Sequence, residues 1–379
     1  MDKGKHLRLV GGNDKRSETG NDHLIRLRNI AGYGEGYLVS LIEKQNQLRS
    51  LLFIVERLKW NAYRLGENTK MITLNEIKER FVLMTITFRK LSELSMEENV
   101  RIWNLGFEGY FIQMVMTIDA LMTRIVNEGL SLENSLAIYV DGEPAGFVMN
   151  GFRDVDGKKV AWNGGTGIAP AFRGKGIGRA LMLRNLELYR EHGVELAILE
   201  ALTQNESAIK LYQYVGYEIT DRLIILQHTG TIDPQLLKRS AVHPFSITKG
   251  LPRDVNALDF YRGLSAWQTQ WPSMKEGESI IIRQDSEPVC YALYKRTFDQ
   301  EGKLVTISFY QCEVLPGRAD AEEIYKLALS ELFAPLDYVC RRGTSNLRKS
   351  NQPLNDLLIK LGFTTNAEQV LMMRNMDLN

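Results

Sequence analysis

Between Trp162 and Gly216 a β-type run, a glycine-rich turn, an amphipathic segment, a second β-type run and a second helical segment follow one another closely. The turn is Arg173-Gly174-Lys175-Gly176-Ile177-Gly178. Glycines there let the backbone adopt positive φ and bring its N–H groups close to an anion. The helix predicted from about Gly176 to His192 adds its positive N-terminal dipole at the same point. Arg173, Lys175 and Arg179 supply side-chain charge around it. Together these features describe a cradle for a pyrophosphate. A Walker loop would end in Gly-Lys-Ser/Thr, but Lys175 is followed by Gly176. The dinucleotide fingerprint Gly-x-Gly-x-x-Gly is not met either.

The second helical segment carries Asn205-x-x-Ala208-x-x-Leu211-Tyr212-x-x-x-Gly216-Tyr217. Asn205 suits a helix N-cap, and Gly216 suits the left-handed residue that ends a helix. Ala208, Leu211 and Val215 share one helical face. With Ile168 and Pro170 upstream, the order Arg-x-x-Gly-x-Gly followed by this pattern resembles the GNAT superfamily of N-acyltransferases. Two independent motifs in the family's order carry the resemblance, which covers roughly residues 85–228.

The resemblance implies an α/β (α+β) fold, a mixed twisted sheet flanked by helices, and acetyl-CoA as co-substrate. The element order agrees. Ile86–Leu91 alternates as a strand, and helices are expected at 99–107 and 119–128. Strands at 135–140 and 145–152 are joined by the hairpin signal Asp141-Gly142-Glu143-Pro144. Strands at 195–202 and 217–228 flank the Asn205 helix, the last of them expected to close the sheet.

A second, degenerate GNAT-like domain is expected over 244–379, after a linker at 229–243. Ser135-x-x-Ile138-x-x-Asp141-x-Glu143-Pro144 recurs as Ser279-x-x-Ile282-x-x-Asp285-x-Glu287-Pro288. Asn205, Leu211 and Gly216 recur as Asn351, Leu357 and Gly362. A near-constant offset is the mark of an internal repeat. Arg173, Gly176 and Gly178, however, become Ala319, Glu322 and Ile324, and Tyr212 becomes Leu358. A glutamate in the cradle repels a pyrophosphate. The second copy is therefore expected to keep the fold, to have lost coenzyme A, and to cover a sheet edge or wall the substrate cleft.

Carried onto this chain, the resemblance implies that Thr166, Gly167 and Ile168 hold the pantetheine arm, the Ile168 N–H polarising the thioester carbonyl. Arg173, Gly174, Lys175, Gly176, Ile177, Gly178 and Arg179 would hold the pyrophosphate, and Asn205 caps its helix beside the pantetheine. Gly164, Gly165 and Gly167 fit a bulge or a close backbone approach. The amine attacks the thioester directly in a ternary complex. Tyr212 protonates the departing thiolate, as suits a phenol of ordinary pKa about 10. Glu200 matches the base of the ribosomal-protein N-acetyltransferases; an exposed strand residue and a water chain are the alternatives. The acceptor cleft is expected at Trp103, Asn104, Tyr110, Trp162 and Asn163, with Phe107 and Phe111 read as core. His192 reads as a helix cap.

Upstream, residues 1–22 read as a disordered tail and 23–75 as a helical extension. Leu41, Leu48, Val55 and Ala62 recur every seven residues, with Leu51, Leu58 and Leu65 in a second seam. Such a helix serves a homodimer or packs on a neighbouring domain. With Met71–Leu74 it resembles the dimerisation helix and tail of MerR-type regulators, which keeps open a non-catalytic acyl-CoA-binding regulator. The net charge of +1 gives no broad attraction to nucleic acid or membrane. The three cysteines, Cys290, Cys312 and Cys340, read as buried free thiols. No His/Cys cluster has metal-ligand spacing, no apolar run spans a bilayer, and the polar N-terminal stretch does not resemble a signal peptide, so a cytoplasmic location is expected. The resemblance implies a primary amine of a small molecule or peptide as the acceptor.

Overall fold

Two hairpins built to the same plan set the frame of this computed structural model, which describes residues 84–240 and 245–376. At Asp141-Gly142 both residues have positive φ (51° and 86°), and at Asp285-Ser286 the values are 49° and 72°. This is the twist that joins antiparallel strands through two residues. The expected tail, the helical extension and its heptad seams all lie outside the described residues.

The first half runs β1 (Ile86–Lys90), α1 (Met96–Gly106), α2 (Ile118–Glu128), β2 (Leu130–Val140), β3 (Glu143–Val155), β4 (Lys158–Ile168), α3 (Ile177–Glu191), β5 (Leu196–Leu202), α4 (Glu206–Tyr214) and β6 (Glu218–Gly230). The second runs β7 (Phe245–Gly250), β8 (Glu278–Gln284), β9 (Glu287–Phe298), β10 (Leu304–Val314), α5 (Ala321–Leu332), β11 (Cys340–Thr344), β12 (Leu347–Arg348), α6 (Gln352–Lys360) and β13 (Thr364–Asn375). The order repeats, except that short 3-10 turns stand where the first half has α1 and α2. In each half one parallel pair, β4–β5 and β10–β11, interrupts an antiparallel meander. Sequence and structure agree on a mixed sheet flanked by helices with a degenerate repeat.

Local sequence explains the elements near the cleft. Ser95 and Glu98 form a capping box at the start of α1. Thr117 caps α2, and Gly129 ends it in the left-handed conformation. Buried side chains of α3, among them Leu181, Met182, Leu186 and Tyr189, pack on one face of the sheet. Ile102, Trp103 and Leu121 of α1 and α2 fill the other.

One expectation is corrected. β6 does not close the first half's sheet beside β5. The strand order is β1-β2-β3-β4-β5-β13-β6-β11-β10-β9-β8-β7, with β12 on β6. The last strand of each half is thus exchanged: β13 pairs with β5 over Gln369–Asn375, and β6 pairs with β11 over Gln227–Gly230. Core composition follows. Val370 and Met372 of β13 pack with α3, whereas Ile224 and Leu226 of β6 pack with α5 and α6. An isolated repeat unit would pair its own strands, and short-range patterns carry no signal that favours the exchanged partner. The stretch expected as a linker from 229 is strand to Gly230, followed by a 3-10 turn at Pro234–Leu237.

Cys290, Cys312 and Cys340 are buried and free, as expected. Among the described residues no helix is long and apolar enough to cross a membrane, and no His/Cys/Asp/Glu group could hold a metal ion.

Candidate active site

The site begins where two parallel strands part. β4 and β5 are paired from Val160–Leu196 to Asn163–Leu199 and no further. Beyond that point β3 is the only strand paired with β4 among the described residues. The Ala169 N–H donates to Ala145 O, so by strand alternation the Ile168 N–H points to the opposite edge, the side on which β5 has diverged. Gly164 is the extra residue of a bulge, Met149 facing Gly165 while Asn150 faces Asn163. Gly167 answers a different need. A Cβ on it would lie 2.9 Å from Gly106, so glycine is what lets the end of α1 sit against β4.

Between the parted strands lies a cleft of about 500 Å³, lined by Trp103, Phe107, Tyr110, Trp162, Asn163, Thr166, Glu200, Asn205 and Tyr212 among others. Tyr212 is buried on α4. Burial pushes its phenol up to about 12, partly offset by Thr166 and Asn163, so it stays protonated at neutral pH. Asn205 caps α4 by accepting from the Ala208 N–H at 3.3 Å, and its amide lies 3.4 Å from the Tyr110 hydroxyl.

Glu200 sits on the cleft floor. Its Oε2 accepts from Trp162 Nε1 at 2.7 Å and its Oε1 from the Trp267 N–H at 2.9 Å. Burial pushes its carboxyl pKa up despite those two donors. A half-buried carboxylate fixed by two donors, with its pKa raised, is the kind of group that can accept a proton.

The loop Arg173–Gly178 and the start of α3 do not line this cleft. Gly174 and Gly176 have φ of 74° and 80°, and nothing lies within 4 Å of where a Cβ would be. The first intrahelical bond of α3 runs from the Ala180 N–H to Gly176 O. The N–H groups of Ile177, Gly178 and Arg179 therefore have no partner within the helix, and no acidic residue stands in the first turn. α5 begins instead with Glu322 and Glu323. The first-half loop suits a polyphosphate and the second-half one does not. Gly176→Glu adds the cost of a side chain at positive φ, about 1–2 kcal/mol, and a charge repelling the phosphates. We expect an acetyl-CoA affinity at least about 100-fold weaker by calorimetric titration, from the local dielectric and like charge. Unchanged affinity would remove the loop from phosphate binding.

Several sequence assignments need correction. The guanidinium of Arg173 is engaged by backbone carbonyls: its Nε donates to Ile168 O at 2.8 Å, and its Nη2 to Glu108 O at 2.6 Å and Gly106 O at 3.2 Å. It ties the end of α1 to β4. Arg179 lies 4.3 Å from the Tyr214 ring centre and Lys175 6.0 Å from that of Phe172. Asn104 does not line the cleft; it bridges the backbone of Met116 through bonds of 2.7 and 3.0 Å. Phe107 lines the cleft rather than lying wholly in the core, and Phe111 is 55% exposed. Their helical spacing misled because α1 ends at Gly106. His192 accepts its expected place as a helix cap, its Nδ1 2.9 Å from Leu188 O.

Sequence reasoning missed Arg124 and Glu128, an ion pair of 2.6 Å on the cleft wall, and Gln268 and Gln369 from the second half. Amphipathic periodicity on α2 marks the first two only as polar, and nothing local marks the others.

Residues 92–217 match the Acetyltransferase (GNAT) family. Residues 92–217 are a GNAT acetyltransferase domain. A mycothiol acetyltransferase of Nocardiopsis dassonvillei is 28% identical over 152 residues, which are 38% of this chain and 45% of that protein. An uncharacterised N-acetyltransferase of Methanocaldococcus jannaschii is 33% identical over 82 residues, 21% of this chain and 36% of that protein. The chain thus spans less than half the length of these relatives. Among solved structures, the GCN5-related glucosamine N-acetyltransferase region of a fungal multi-domain beta-N-acetylglucosaminidase superposes with a TM-score of 0.54 at 14% identity. The match covers 76% of this chain and 38% of that one, and it shows the same fold.

Proposed function

We propose that this chain transfers an acetyl group from acetyl-CoA to a primary amine of a small molecule or peptide, by direct attack within a ternary complex. The observation that carries the reading is the placement of Glu200 and Tyr212 in one cleft at the parting of β4 and β5. In this reading Glu200 takes a proton from the ammonium, the amine nitrogen bonds to the acetyl carbon, the carbon–sulfur bond breaks, Tyr212 gives its proton to the thiolate, and the second proton shed by the acylated nitrogen restores the Tyr212 phenol. The unpaired edge of β4 from Thr166 to Ile168 receives the pantetheine. The amides of Gly174–Arg179 receive the pyrophosphate, and the Arg173 side chain braces the cleft wall.

The aromatic walls Trp103, Tyr110 and Trp162, with Glu200 and the neutralised pair Arg124–Glu128, favour a cationic amine as acceptor. The matching gap between β10 and β11 is filled. Only about 10 Å³ remains beside Gln311, Arg348 and Leu354, and Arg348 is paired with Glu313 at 2.8 Å. We therefore assign coenzyme A binding to the first half alone. Calorimetric titration with acetyl-CoA should give one site per chain, followed by thiol release on adding an amine acceptor. Two sites would overturn the reading of the second half, and no binding would overturn the acetyltransferase reading itself.

A further inference from the structure

We propose that Trp267, from the second half, is a positioning residue for Glu200, and that the filled gap between β10 and β11 survives as the brace that holds it there. The proposal rests on Glu200 acting as the base, as argued above.

Glu200 has one donor from each half. Trp162 approaches from β4 through its indole, and Trp267 approaches through its backbone N–H. The two indoles are stacked, with ring centres 5.4 Å apart and planes within 10°. Trp267 is fully buried. Its Nε1 donates to Glu128 O at 2.7 Å, and the Arg153 guanidinium lies 3.6 Å from its ring centre. Arg153 also donates to Glu128 O, Gln270 Oε1 and Ser273 Oγ. A buried donor set of this kind, satisfied at every member, fixes one geometry for the group at its centre.

The loop carrying Trp267 is held from behind by Gln311 of β10. Gln311 Nε2 lies 2.6 Å from Ser265 Oγ and 2.8 Å from Thr269 O, and its Oε1 accepts from the Tyr291 hydroxyl at 2.9 Å. Gln311 belongs to the filled gap. It stands where an open cleft would need space, and its bonds run to the loop that seats on the other half's carboxylate. The second half thus contributes to the reaction beyond the two glutamines, Gln268 and Gln369, that it lends to the cleft lining.

The backbone offers a direct test. Trp267 is the first residue of a 3-10 turn, and Ala266 before it is extended (φ −50°, ψ 134°). Proline fits the backbone of such a position and removes the N–H, its ring pressing on Glu200 Oε1 in place of the hydrogen bond. Trp267→Ala and Trp267→Pro lose the same indole, but only the second loses the donor to Glu200. An N–H that favours the carboxylate keeps its pKa down, so its loss moves the acid limb of the kcat/KM profile to higher pH. We expect Trp267→Pro to fall about tenfold below Trp267→Ala at neutral pH, as one charge-assisted hydrogen bond allows. The two should converge at high pH, where Glu200 is ionised in both, and acetyl-CoA affinity should be alike. Superimposable profiles, or a pH-independent ratio, would overturn the proposal.

Should the proline variant fail to fold, Gln311→Ala decides: the same upward displacement supports the brace, and an unmoved limb refutes it. Glu200→Gln separates this idea from its foundation. If that variant keeps full activity, the base assignment falls. If it is inactive while the Trp267 pair coincide, only the positioning role falls.

Discussion

A chain ending at Phe363, and so lacking β13, is expected to show no cooperative thermal transition and no acetyl-CoA binding. β13 supplies the antiparallel partner of β5 and of much of β6. It also buries Val370, Leu371, Met372 and Met376, each at most 7% exposed. At about 1.5–3 kcal/mol for each side chain, their removal forfeits on the order of 6–12 kcal/mol. That is comparable with the whole stability of an ordinary domain, about 5–15 kcal/mol. Two strands in mid-sheet are also left with unpaired edges. Circular dichroism during heating is the measurement. A sharp transition near that of the full chain would show that the first half is self-sufficient and that the exchanged strand is ornamental.

Glu200→Gln is expected to lower kcat by about 10²–10⁴-fold, the range for loss of a positioned general base, while acetyl-CoA affinity changes little. The glutamine is nearly isosteric but offers one acceptor oxygen to two donors, the Trp162 indole and the Trp267 N–H. One of them is left unpartnered, at about 1–3 kcal/mol. The melting midpoint should therefore fall modestly alongside the rate. The pH profile gives the sharper sign. The base works ionised, and burial raises its pKa, so wild-type activity should disappear on acidification at a pH above the ordinary glutamate value of about 4.3. In the variant that limb should vanish. An unaltered limb would mean that another group titrates.

The elements around the site were largely legible in the sequence. Asp141-Gly142 marked the first hairpin because only a few residues accept positive φ at consecutive positions. Gly174 and Gly176 marked the loop for the same reason. Tyr212 was placed by its motif, and the structure adds that it shares a cleft with Glu200. What stayed hidden depends on distance along the chain. Asn104 looked like a ligand because a polar residue on a half-apolar helix faces either substrate or backbone, and its partner Met116 lies on a loop with no periodic signal. Arg173 looked like a phosphate ligand because its motif says nothing of the three carbonyls within its reach. Trp267 could not be found at all, since its value lies in a main-chain N–H that every residue but proline carries.

The exchanged strands have a consequence for the order in which the molecule comes into being. The bond from the Thr203 N–H to Glu368 O, at the margin of the cleft, closes a span of 165 positions. While the chain is being synthesised, β1 to β5 emerge and can pair, but β5 must keep an open edge until β13 has been made. Contacts of such long sequence separation form slowly, and an open apolar edge invites pairing with another chain in the meantime. The first half therefore cannot complete its sheet before the second half is made. Its cleft gains Gln369, and β5 its second neighbour, only once β13 has been made.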